Sequence, residues 1–547
     1  MDTRRLILFM IFTMSVFFLF DAWNRENLPP PAKVQSTPTP TGTGPAATPV
    51  PTPTQALTAA PPPASGSLQN GAKVTVETDL LLAEIDTAGG DLRRLELRSH
   101  RDTLDKKKNL VLLRQQAEHT YIAQSGLIGN GLPDHRTNFS ADATNVKLDD
   151  KSAHVSVRLA APPVAGITVT KIYTFHRASY LIDIAYEIEN KSAAAIQPDA
   201  YFQLVRDGVP PDGDSAMLPT YTGVAGYTEK EKFYKLPFAD LDKGKASYPK
   251  KSNDGWIAVL QHYFLSAWLP ANDAPREFYA RRLDNGLYAA GVIVSAGSIE
   301  PGATVTRKVP LYAGPQEQDN LSKLAPGLDL TIDYGWLTVI ATPLFWVLQW
   351  LYGWVENWGV AIIILTVILK GIFYPLSAAS YRSMARMRVL APRLQKLKEQ
   401  YGDDRQRMNL AMMELYKTEK INPLGGCLPV VVQIPVFIAL YWVLLASVEL
   451  RHVPFVLWID DLSTPDPYFV LPVLMGATMI FQTYLNPVPP DPIQAKVMKI
   501  MPIAFSVFFF FFPAGLVLYW LVNNILSIAQ QWQITHAMEH PKPAHGK

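Results

Sequence analysis

A single cysteine, Cys427, stands in 547 residues. No intrachain disulfide can form, and no cysteine cluster can hold a metal. An excess of either charge is missing too: 50 Lys and Arg face 48 Asp and Glu, a formal net charge of +2. That balance does not suit a protein that binds nucleic acid through its overall field. Histidines 100, 119, 135, 154, 176 and 262 are scattered, with no H-x-x-x-H spacing to set two ligands on one face. No ATP-binding motif occurs. Asp212 and Asp214 in PPDGDS come nearest to a carboxylate pair and read as a polar loop. The sequence thus offers no visible catalytic set, no cofactor site and no metal site, and it predicts a protein that is not an enzyme.

What it has is apolar sequence concentrated at its two ends. Arg4 and Arg5 precede LILFMIFTMSVFFLF, and the DAWNREN that follows lacks a small-x-small cleavage pattern. Residues 1–24 therefore read as an uncleaved anchor starting in the cytoplasm. Residues 25–70, rich in Pro, Thr and Ala, read as a disordered tether. From 71 to 325 short alternating runs dominate. In YLIDIAYEIE, Ile182, Ile184, Tyr186 and Ile188 fall on one face and Asp183, Glu187 and Glu189 on the other. A period of two means half-buried antiparallel strands, so an all-β sandwich is expected outside the cytoplasm.

The C-terminal third is helical and apolar. Residues 326–358 carry Trp346, Trp350, Trp354 and Trp358 every four residues, a stripe suited to an interfacial helix on the outer surface. The span 359–377 contains Lys370, roughly 15 Å along the helix from Val360. A lysine at mid-membrane costs about 2.5–3.5 kcal/mol on insertion scales. Two readings stand: the stem snorkels to the interface near Leu376, or the lysine faces a wet cavity. Thr366 at i−4 and Ser377 at i+7 would share its face, which favours the cavity. Residues 378–422 read as a basic helical hairpin: Ser380 to Asn422 has ten Lys or Arg against five acids. Its seam is Met387, Leu390, Leu394, Leu397 and Tyr401, with Gly402 closing the first helix and Asp403 capping the second. Residues 423–535 supply four more spans, near 424–446, 468–484, 498–512 and 514–534, and 536–547 a short tail. The basic hairpin belongs inside and the acidic loop 447–467 outside. That makes six spans with both termini cytoplasmic. Tyr519, Asn523 and Ser527 line one face of the last span, and Gln433 and Tyr441 flank Phe437 in the third. Helix–helix hydrogen bonding accounts for each alone; together with Lys370 and Thr366 they suit one hydrophilic recess.

The motifs MARMRVLAPR (384–393), NPLGGCLP (422–429), QIPVFIALY (433–441) and FPAGLVLYW (512–520) closely resemble the YidC/Oxa/Alb family of membrane-protein insertases, in the Gram-negative form with a large periplasmic domain. The resemblance implies a polytopic α-helical membrane protein with six transmembrane helices and a five-helix insertase core, plus a periplasmic β-supersandwich similar to sugar-processing folds. It implies a groove open to cytoplasm and lipid and closed to the periplasm. The family's usual groove arginine falls at Lys370, its threonine at Thr366, and substrate-contact positions at Phe437 and Tyr519. A tyrosine common after Tyr519 is Trp520 here. With Gln433 and Asn523 these form the expected groove. The implied location is the bacterial inner membrane. The implied partners are nascent membrane proteins, the Sec translocon with its accessory subunits, membrane lipids, and the ribosome or signal recognition components at the hairpin.

A secondary transporter or channel is the runner-up, opposed by the missing internal repeat and the single buried charge. A membrane-anchored sugar-binding protein would rest on the outer domain alone. In a Cys427→Ser background, single cysteines at Gln349 and Asp460 are expected to label from outside and one at Gln406 only from inside. Labelling of position 406 from outside would overturn the six-span reading.

Overall fold

The computed structural model describes residues 70–116, 118–213, 220–271, 274–401, 404–419, 428–486 and 492–539. The expected anchor and tether, Asp214, Gly402, Asp403 and most of NPLGGCLP lie outside them. The chain divides into two compact units between Ile332 and Asp333, later than the expected limit at 325.

The first unit is a β-sandwich of a ten-stranded and a nine-stranded sheet. Leu181–Asn190 runs antiparallel between Ile167–His176 and Thr304–Pro315, with Ile184 opposite both Tyr173 and Val309. Ile182, Ile184, Tyr186 and Ile188 are buried as the alternation requires. In the other sheet Asp199–Arg206 lies between Thr120–Ile128 and Tyr288–Ser295.

Polar groups also enter this core. Lys171, from the nine-stranded sheet, and Asp91, from the ten-stranded one, are both fully buried. Lys171 Nζ donates to the carbonyls of Gly89 and Ser125, each at 3.3 Å. It also lies 5.5–6.0 Å from the ring centroids of Phe139, Tyr173 and Tyr186. Such contacts replace water around the cation. Asp91 Oδ2 accepts from Gln124 Nε2 at 2.8 Å. The turn at Gly89 and Gly90 makes the arrangement possible. Both have positive φ, and a Cβ on Gly89 would stand 2.3 Å from the His135 carbonyl oxygen. Burial pushes the Asp91 carboxyl up to about 6, against the pull of Lys171 and Arg93.

The second unit is helical: α1 (Thr338–Val355), α2 (Trp358–Ile372), α3 (Tyr374–Tyr401), α4 (Arg405–Thr418), α5 (Leu428–Ala446), α6 (Val470–Leu485), α7 (Pro492–Phe508) and α8 (Ala514–Glu539). Helix α1 exposes Trp346, Trp350 and Trp354 and buries Ala341, Leu344, Phe345, Leu348 and Leu351. The fourth tryptophan departs from the predicted stripe. Glu356 takes a left-handed conformation that ends α1, and Asn357 caps α2 by accepting from Val360 N at 3.0 Å. Trp358 thus opens α2, where it is buried and stacked on Tyr352.

The continuous helix predicted through Lys370 is also broken. Helices α2 and α3 meet at Phe373 with a 66° bend. Pro375 explains this: it has no N–H to give Gly371, and its ring clashes with the carbonyl four residues back. Lys370 therefore sits in the last turn of α2. In the hairpin the cap is Asp404, one residue past the expected Asp403; its carboxylate accepts from Gln406 N and Arg407 N at 3.1 and 3.0 Å. Leu390 and Leu394 of the predicted seam are buried. Helix α7 starts before the apolar stretch and ends before Phe512, with a 3-10 turn at Phe509–Phe511. Among the described residues one helix, Thr338–Val355, is long and apolar enough to cross a membrane, or two if the bent pair is one span. The count of six spans rests on loop charges and not on helix length.

The β core yields a stability test. Lys171→Met removes one of the two cations that act on buried Asp91, leaving Arg93 at 4.0 Å from its Oδ2, and should destabilise the unit by at most about 3–5 kcal/mol, the cost of breaking a buried pair. A buried carboxyl with a raised pKa binds its proton more tightly folded than unfolded. Its stability contribution is full below the ordinary value of 3.8 and declines as pH rises toward the folded value. Denaturant melts should therefore show a larger loss for Lys171→Met at pH 8 than at about pH 5.

Candidate functional site

Helices α2, α5 and α8 bring the polar residues of the helical unit together. Lys370 is 8% exposed. Its Nζ donates to Ser527 Oγ of α8 at 2.7 Å, and that hydroxyl donates on to the Asn523 carbonyl oxygen at 2.7 Å. Among the described residues no carboxylate pairs with it. From α5, Gln433 Nε2 donates to Tyr519 OH at 2.8 Å and to Asn523 Oδ1 at 2.6 Å. Asn523 thus accepts at its side chain from α5 and at its backbone from Ser527, the hydroxyl that holds the lysine of α2.

A small pocket, part of it open to the surroundings, lies beside this network. Its polar lining is Lys370, Ser377, Gln433 and Tyr519; Leu369, Phe373, Leu376, Pro429, Val432 and Val436 supply the apolar part. Ser377, beyond the bend at Phe373, lines the same pocket as Lys370. One turn beyond Gln433, Phe437 meets Trp520 edge-on at 4.7 Å and lies 6.5 Å from the Tyr519 ring. These rings join α5 to α8.

Of the expected groove residues, Lys370, Gln433, Tyr519 and Asn523 stand in this one hydrogen-bonded arrangement, with Phe437 and Trp520 packed beside it. Thr366 does not join it. Fully buried, its hydroxyl donates to the Ile362 carbonyl oxygen at 2.7 Å within α2. Tyr441 packs on Phe512 and Trp442. Ser527 was visible in the sequence as the last member of the α8 stripe, yet nothing in the spacing marked it as the lysine's partner.

The family model for the YidC periplasmic domain matches residues 73–347, and that for the 60Kd inner membrane protein matches 350–542. A membrane protein insertase YidC of Nitrosospira multiformis is 59% identical over 556 residues, covering 98% of each chain. The chain belongs to the YidC membrane protein insertase family. A second family member, from Methylobacillus flagellatus, is 58% identical with 98% of each chain covered. Among solved structures, an active YidC insertase with its first transmembrane domain resolved aligns at TM-score 0.40 and 18% identity, over 84% of this chain and 92% of that one. Residues 370, 433, 437, 519, 520, 523 and 527 all fall within the 60Kd segment.

The Gln433 bridge gives a prediction. Gln433→Leu removes both bonds to α8, and interhelical hydrogen bonds in membranes are worth about 0.6–2 kcal/mol each. Thermal unfolding of the purified protein in detergent should shift down by several degrees. An unchanged midpoint would show that the bridge does not hold α5 to α8.

Proposed function

We propose that this chain integrates and helps fold inner-membrane proteins, alone or beside the Sec translocon, by offering their polar segments a positively charged groove. The observation that carries the reading is Lys370: a cation buried at the wall of a pocket, held by a neutral hydroxyl, with no carboxylate paired to it among the described residues. A cation so placed is attractive to an incoming carboxylate, more strongly than in water because the local dielectric is lower. The reading is physical transport, with no bond made or broken in the substrate.

In this scheme six spans cross the bacterial inner membrane, with both termini in the cytoplasm and α1 lying along the outer surface. Five of those spans enclose the groove, which opens to cytoplasm and lipid. An acidic or polar tail enters it and is drawn toward Lys370. The hydrophobic segment that follows slides along the α5–α8 face, past Phe437 and Trp520, and burial of its apolar surface in lipid drives release. The groove thereby shortens the distance over which a polar tail is without water. The basic hairpin of α3 and α4 receives delivered chains from the ribosome or signal recognition components and touches lipid headgroups. Lysine in place of arginine keeps the charge and gives up the bidentate fork, so attraction persists without fixed pairing geometry.

Lys370 variants test the scheme. Lys370→Arg should insert substrates nearly as the parent does. Lys370→Ala should slow substrates with acidic N-terminal tails more than matched neutral ones, and Lys370→Glu should be worst. Insertion of the matched pair is measured beside the steady-state level of each variant. Equal losses for both substrates at normal protein level would refute the electrostatic mechanism.

A further inference from the structure

The cation of the groove is held from one side. The Ser527 hydroxyl donates to the Asn523 carbonyl oxygen at 2.7 Å, one helical turn back, and the Tyr381 hydroxyl of α3 is a further hydrogen-bond partner of it. What it turns toward Lys370 Nζ, also at 2.7 Å, is a lone pair. Ser527 is 5% exposed and Asn523 is 6% exposed, so water does not compete freely for this contact. Asn523 is itself tied to α5 through Gln433. The acceptor offered to the lysine therefore sits on a framework that spans two helices. An ammonium has more hydrogens than this single bond uses.

We propose that Ser527 is the positioning residue of the groove: it fixes the Lys370 head by one neutral hydrogen bond and leaves its other N–H groups for the carboxylate of an incoming tail. This rests on the insertase reading above and deepens it. A carboxylate at the same place would neutralise the cation and compete with substrate. A purely apolar residue would leave the flexible lysine stem free to turn away, so that part of the attraction would be lost to disorder. A hydroxyl back-bonded to its own helix avoids both outcomes. It orients the charge without cancelling it.

The test uses the full-length protein with Ser527→Ala, Ser527→Thr, Lys370→Ala and the double variant Lys370→Ala/Ser527→Ala. Insertion is read as the ratio of acidic-tailed to matched neutral-tailed substrate. Labelling of Lys370 by an amine-reactive N-hydroxysuccinimide ester at fixed pH is followed by mass spectrometry. Loss of a hydrogen bond of ordinary net strength should lower the ratio roughly threefold to tenfold in Ser527→Ala and speed the labelling of Lys370. Ser527→Thr keeps a hydroxyl able to back-bond and should restore both. Adding Ser527→Ala to Lys370→Ala should change the ratio no further, because the serine acts through the lysine. Unchanged labelling in Ser527→Ala, or a second loss in the double variant, would overturn the positioning role. If Lys370→Ala leaves the ratio untouched while the labelling change is present, the electrostatic reading fails and this use of Ser527 fails with it.

Discussion

Taking an ammonium group out of water costs several kcal/mol unless other dipoles replace its hydration. In the helical unit that constraint falls on Lys370, and much of the local architecture answers it. Helix α8 presents Ser527 to the cation, Asn523 holds Ser527 in the accepting orientation, and Gln433 ties Asn523 to α5. The bend at Phe373 then turns α3 aside, so that Ser377 closes the same pocket. Without the interhelical bonds the lysine would have only its stem's length with which to escape toward water.

The β unit solves the same problem in the opposite way. Lys171 is surrounded by two carbonyls and three aromatic rings and shares the interior with Asp91. Its surroundings are complete, and it joins two sheets. Lys370 has one hydroxyl and a pocket. Two buried lysines in one chain thus differ in their surroundings: the first meets two carbonyls and three rings inside a core, while the second meets one hydroxyl at the wall of a pocket.

Much of the fold was legible because strands and helices impose short periods on the chain. The run Ile182, Ile184, Tyr186, Ile188 announced a buried face that the sandwich contains. The tryptophan stripe announced an exposed face on α1, and departs from it only at Trp358, where a left-handed Glu356 ends α1 and Asn357 caps a new helix. The break at Phe373 was missed because hydropathy runs on through Pro375 while the backbone cannot. Asp404 displaced Asp403 as the cap because a cap depends on where the first helical turn begins, which apolar spacing locates only to within a residue or two. Thr366 was placed on the correct helix, but its hydroxyl turns to its own backbone, as threonines in helices readily do.

By itself the sequence determined the division into a β-rich and a helical part, the family through motifs dense between residues 384 and 520, and the one charge stranded in an apolar stretch. These are local properties: composition, period two, period three to four, and a lysine where hydrocarbon is expected. The tertiary structure alone decided which polar residues meet. Lys370 and Ser527 are 157 positions apart, and Gln433 and Asn523 are 90 apart. No periodicity within one helix encodes a partner on another. The pairing follows from how α2, α5 and α8 pack, which brings Lys370 and Gln433 within reach of acceptors on α8.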